Sequence, residues 1–174
     1  MKLTHLSSAS IAFASSMLAT GIVVSYPEVI PGPGLPGLAD IGVTSAQLYV
    51  MELPSTSAKI LARFQPYCGP AEQAYANVKN IVACYHYLNK LGHTQCTVSA
   101  GWSEFCFSGN GKITGFAYGE ASQSSYCSDV AHAVLYTIDH CTRPDQSVAG
   151  LQAANGNGNL IVSSVNRKWD GHRP

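Results

Sequence analysis

Residues 70–92 read PAEQAYANVKNIVACYHYLNKLG, and the spacing of their apolar positions decides what must surround them. Tyr75, Val78, Ile81, Val82, Tyr85 and Leu88 recur every three or four residues, so they share one side of a helix that needs a surface to bury against. Pro70 suits a first helical turn, Glu72 the positive N-terminal end and Gly92 a C-terminal cap, which predicts a helix over 70–90. Residues 125–141, SYCSDVAHAVLYTIDHC, repeat the pattern through Cys127, Val130, Ala131, Val134, Ile138 and Cys141. The other side of this second helix carries Asp129, His132, Tyr136, Asp139 and His140.

The segments around the two helices are short and rich in β-formers. Residues 95–99, 104–107 and 113–118 read as strands, separated by Gly101 and by Ser108-Gly109-Asn110-Gly111, in which Asn110-Gly111 is a hairpin signal. Residues 148–153 and 160–165 flank the Asn155–Asn159 run of alternating Asn and Gly, a second hairpin signal. Helix, three strands, helix, two strands is an order that short connections satisfy as an α+β sandwich. The expected form is an antiparallel sheet of about four to five strands with both main helices on one face. A weak repeat is visible too: Tyr67-Cys68 precedes the first helix and Tyr126-Cys127 opens the second.

Ahead of this domain, Lys2 and His5 lead into an apolar or small run, Ile11–Val24, which reads as the core of a secretory signal. Ser15, Ser16, Thr20 and Gly21 dilute it below what spanning a bilayer needs. Small residues permit cleavage after Gly21 or Ser25, and Ser25 is preferred because Pro27 then opens a rigid mature terminus. The expected organisation is a signal peptide at 1–25, a Pro/Gly-rich leader at 26–66, a disulfide-rich domain at 67–166 and a flexible tail at 167–174. Within the leader a short helix is expected in 41–51, capped by Thr44 or Ser45 and stopped by Pro54.

Cys68, Cys84, Cys96, Cys106, Cys127 and Cys141 make an even count behind an export signal, the usual mark of a disulfide framework in an oxidising compartment. Six cysteines pair in about fifteen ways. Fourteen helical residues span about 21 Å, too far for a bridge, so Cys127 cannot meet Cys141, and the same argument weighs against Cys68 with Cys84. About ten schemes survive. Cys96 and Cys106 could pair with each other or each reach a helix, and bridges tying helix ends to strands, or to one another, are expected. No Cys-x-x-Cys pair or histidine cluster suggests zinc.

Ten basic and ten acidic residues cancel, and charged residues are only 11% of the chain, which argues against a nucleic-acid partner. No cofactor is expected, and the mature product should be a monomer without a membrane span.

Catalytic motifs are scarce. Gly101-Trp102-Ser103-Glu104-Phe105 lacks the closing glycine of a nucleophile elbow. Asp129 and His132 can touch on a helix, which a polar solvent face explains without catalysis; a hydrolase site around them and Glu104 is the rival reading. Glu104 and Glu120 could be offered as a glycosidase pair, but nothing in the sequence fixes their separation. Trp102, Phe105, Phe107, Phe116 and Tyr118 could form an aromatic platform for carbohydrate, although strand alternation sends several of them inward.

The stretch FCFSGNGKITGF at 105–116, a helix ending in His140-Cys141, and GNLIVSSVN at 158–166 together resemble the later part of virally encoded fungal killer toxins of the killer-protein-four type. A vaguer likeness reaches fungal necrosis-inducing effectors of the extracellular-protein-two type. The resemblance covers about 60 residues, and the chain differs in having no cysteine after the closing strand and no double-cysteine step after the second helix. It implies a small disulfide-linked α/β sandwich and a secreted fungal effector or killer-toxin-like protein. Such a protein would act without catalysis, by binding a target-cell protein, channel or cell-wall component, and interference with calcium channels is the toxins' precedent. The alternatives from the residues themselves are a small secreted hydrolase and a cell-wall carbohydrate-binding module.

Overall fold

A computed structural model describes residues 24–55, 64–99, 101–119 and 122–171. The expected signal peptide lies almost wholly outside the described residues, as does Glu120. In chain order the elements are β1 (Val29–Pro31), α1 (Ser45–Val50), β2 (Tyr67–Cys68), β3 (Ala76–Asn77), α2 (Val78–Leu91), β4 (Gln95–Val98), β5 (Trp102–Ser108), β6 (Gly111–Ala117), β7 (Gln123–Tyr126), α3 (Cys127–Cys141), β8 (Ser147–Val148), β9 (Gly150–Ala154) and β10 (Asn157–Asn166). Short 3-10 turns occupy Ala39–Ile41 and Glu72–Ala74.

The protein is an α+β fold built on a six-stranded sheet, ordered β1-β5-β6-β10-β9-β2, in which every neighbouring pair is antiparallel. Two further ribbons pair β3 with β8 and β4 with β7. α2 and α3 pack against each other and on the same face of the sheet, α2 over β5 and β6, α3 over β9 and β10. Between them lies the core: Ile81, Leu88, Val130 and Val134 from the helices meet Ile113, Leu160 and Val162 from the strands, all at most 1% exposed. Burying an aliphatic side chain of this size stabilises by about 1.5–3 kcal/mol, so these few contacts make the sandwich cohere.

The element order contains one unit twice. β3-α2-β4-β5-β6 and β7-α3-β8-β9-β10 have the same succession of strand, helix, strand and hairpin. The pairings between the units are reciprocal: β3 of the first pairs with β8 of the second just as β7 of the second pairs with β4 of the first, and the equivalent strands β6 and β10 meet at the centre of the sheet. In this arrangement Tyr126-Cys127 corresponds to Asn77-Val78. The repeat read from Tyr67-Cys68 is therefore misplaced, since β2 lies outside both units.

Both helices start later than the sequence predicts. Asn77 accepts the Lys79 N–H at 2.9 Å and caps α2, while Ala76 and Asn77 are held in register with Val148 and Ser147. Pro70 and Glu72 therefore sit in a loop and a 3-10 turn. The hairpin between β5 and β6 also turns one residue earlier, on Gly109-Asn110, with a φ of 51° at Gly109. A positive φ at the first turn position is what a tight type II′ hairpin asks of glycine.

The Pro/Gly-rich leader is built into the domain rather than laid on it. Val29 is 1% exposed and pairs with Ser108 at the sheet edge, and Leu48 of α1 is fully buried. α1 carries a capping box between Thr44 and Gln47. Its Tyr49 hydroxyl donates to Asn80 of α2 at 2.7 Å, Asn80 donates to Asn110 at 2.8 Å, and Ser108 donates to the Glu28 carbonyl at 2.9 Å. Tyr87, fully buried in α2, donates to the Pro36 carbonyl at 2.7 Å. At the other end, Arg167 lies 3.7 Å over the Phe107 ring and Trp169 packs against Val165, so the expected flexible tail is held at least that far. No helix among the described residues is long and apolar enough to cross a membrane.

Candidate functional site

The six cysteines form three bridges, Cys68–Cys141, Cys84–Cys106 and Cys96–Cys127, and neither intrahelical pairing occurs. Each bridge joins a helix to a strand. Cys127 and Cys141 are the first and last residues of α3, tied to β4 and β2, whereas Cys84 lies in the middle of α2 against β5. Cys96 and Cys106 do not meet each other: Cys96 belongs to the β4–β7 ribbon and Cys106 to the main sheet. A register shift between Glu104 and Cys106 leaves consecutive Phe105 and Cys106 both buried, and the Cys106 bridge to Cys84 fixes α2 over the sheet at its midpoint.

The residues weighed for catalysis are not brought together. Asp129 and His132 face each other at 3.9 Å, beyond hydrogen-bond distance, and the His132 Nδ1 is buried without a protein hydrogen bond. Asp139 and His140 lie near the far end of α3, where His140 stacks on Tyr136 with ring centroids 3.8 Å apart and its Nδ1 lies 2.9 Å from the Tyr136 carbonyl. Burial raises the Asp139 pKa, and His140 beside it acts in the opposite sense. Glu104 and Ser103 are on β5 and line a cavity that includes no residue of α3. Among the described residues, no group of three or more His, Cys, Asp or Glu converges as a metal set would.

Among the described residues, a polar cleft of about 700 Å³ lies beside β5. It follows from how far the leader strand reaches. β1 covers β5 only from Ser108 back to Cys106; Gly32 then donates its N–H to the Phe105 carbonyl at 2.9 Å and the chain departs toward Leu35. A Cβ at Gly32 would run into the carbonyl of Glu104, so only glycine lets the leader cross β5 this closely before it leaves. The first half of β5 is left beside Pro33 and Leu35 on one side and Gln95 and Thr97 of β4 on the other. Trp102 stands in the cleft wall with 48% of its surface exposed, and Glu104 is partly buried there.

The five aromatics proposed as a platform divide. Phe105 is in the core, Phe107 is half-buried beneath Arg167, and Phe116 packs near Ile161 and Leu151. Trp102 and Tyr118 are exposed, and Tyr126, which the sequence reading placed in no site, is exposed as well.

Tyr126 belongs to the outer face of the β4–β7 ribbon, where Gln95 is opposite Tyr126 and Thr97 opposite Ser124. These four point outward while Cys96 and Ser125 point in, the period-2 alternation of a ribbon with one solvated face. Ser124 donates to the Gln95 Oε1 at 2.6 Å and lies 2.9 Å from the Thr97 hydroxyl. Asn157 donates to the Gln123 Oε1 at 3.2 Å and to the Ser124 carbonyl at 2.9 Å. Beyond the ribbon a second, shallower depression of about 340 Å³ is bounded by Tyr126, Asp129 and Asn157, and Gln95 borders both concavities. Among the described residues, no lysine or arginine lines either one, and each contains one carboxylate.

No curated protein and no solved structure matches the chain. The sequence model described as "Domain of unknown function (DUF8794)" matches residues 64–166, from just before β2 to the last residue of β10, and the chain belongs to that family.

Proposed function

We propose that this is a secreted, non-enzymatic effector or killer-toxin-like protein that acts by binding a component of a target cell through the Trp102 cleft and the adjoining ribbon. The single observation that carries this reading is the cleft. It has an exposed indole in its wall and Gln95, Thr97, Ser103 and Glu104 around it, while Asp129, His132 and Glu104 do not converge. Concave sites with a few placed polar groups and an aromatic wall are where proteins take ligands. Export is supported by the apolar run at Ile11–Val24 and by the three bridges, which suit an oxidising compartment. The killer-toxin resemblance adds the expectation that the bound component belongs to a competing or host cell.

The test is to apply purified, oxidised protein to fungal cells and to a plant leaf, beside the same protein reduced and alkylated. Growth inhibition or a leaf response to the oxidised form alone is expected. Silence in both assays counts against the proposal, as does turnover of ester, peptide or glycan substrates that His132→Ala abolishes.

A further inference from the structure

We infer that the cleft and the ribbon together form one extended site for a neutral oligosaccharide, with Trp102 at one end and Tyr126 at the other. The inference rests on the binding role proposed above and gives it a ligand class. Three features point to sugar. Both ends of the surface offer aromatic side chains, 48% and 45% exposed, the Tyr126 ring tilted against His93 with centroids 4.7 Å apart, and an electron-rich ring face accepts the C–H edges of a pyranose. Between them Gln95, Thr97 and Ser124 give a row of amide and hydroxyl groups, the donors and acceptors that match sugar hydroxyls.

These groups are also ordered before any ligand arrives. Ser124 fixes the Gln95 amide at 2.6 Å and the Thr97 hydroxyl holds Ser124 at 2.9 Å, so little side-chain freedom is left to lose on binding. Charge narrows the class further. Among the described residues, Glu104 in the cleft and Asp129 in the shallower depression are the only charged groups that line the two concavities. Sulfated, phosphorylated or uronic acid chains would meet like charge and no cation, whereas neutral chains meet no penalty.

Gln95 borders both concavities, so a chain lying across the ribbon would engage the two rings at once. Linking two weak contacts raises affinity with ligand length. The experiment is calorimetric titration of the oxidised full chain with N-acetylglucosamine, glucose, their β-linked tetramers and a heparin-derived tetrasaccharide. At least one neutral tetramer is expected to bind at least tenfold tighter than its monosaccharide, with no binding to the heparin fragment. Trp102→Ala and Tyr126→Ala should each weaken that binding about tenfold or more, the scale of losing one aromatic contact. Circular dichroism establishes that each variant is folded, and shifts of the Gln95 and Thr97 amides in the unmodified protein locate the ligand independently.

Absence of binding to every neutral oligomer overturns the inference, as do equal affinities for monomer and tetramer or binding indifferent to both substitutions. A protein that acts on cells, loses that action with Trp102→Ala and ignores all the sugars would keep the binding role and refute the ligand class. In that case the occupant is a protein.

Discussion

His86 is 2% exposed in the middle of α2, with Nε2 3.1 Å from the Met51 carbonyl and its ring edge-on to Tyr85. Burial pulls its pKa below the ordinary 6.5; the hydrogen bond to Met51 opposes this, and Lys90 adds to it. The fold thus holds His86 neutral where an unfolded chain already takes up a proton. Its contribution to stability is complete above pH 6.5 and is lost as the pH falls toward the depressed folded value. We expect the urea midpoint of the oxidised protein to fall between pH 7.5 and pH 5, and His86→Phe to flatten that slope even though it costs stability at neutral pH. A slope of equal size in the variant would show that another group carries it.

Helices and bridges belong to the next scale. Replacing Cys84 and Cys106 together by alanine frees a loop of about 23 residues and should cost about 3 kcal/mol, read as a lower denaturant midpoint in equilibrium unfolding. The loss should exceed that of a typical surface substitution severalfold, because the bridge joins the middle of α2 to β5. Both main helices were legible because their apolar residues repeat at the helical period, and the hairpins because their turns carry Asn and Gly. The edge strands were not. Val29–Pro31 and Tyr67–Cys68 are two or three residues long and sit among prolines and glycines, so period-2 alternation has no length in which to appear. Helix length eliminated two bridges but could not choose among the rest, since Cys96 reaches Cys127 only through the pairing of β4 with β7. For the candidate site, Trp102 and Glu104 stood out as chemistry-bearing residues. Gln95, Thr97 and Tyr126 did not, because what unites them is the ribbon and the path of the leader, both non-local.

At the scale of the whole molecule, two copies of one strand-helix-strand-hairpin unit meet through β6 and β10, and the sheet ends on the short strands β1 and β2. Short edges limit pairing with other chains. The two outer flanks differ, and the cleft lies on one of them: β1 covers only Cys106–Ser108 of β5 and then leaves at Gly32, and Trp102 stands beside the gap. The most direct test of the binding role is a dose–response on cells that respond to the wild-type protein, with Trp102→Ala and Val50→Ser, an exposed position that lines neither concavity, alongside, all confirmed folded and oxidised. We expect Val50→Ser to match the wild type and Trp102→Ala to need at least tenfold more protein for the same response. A full response to Trp102→Ala at the wild-type dose would contradict the assignment of the cleft.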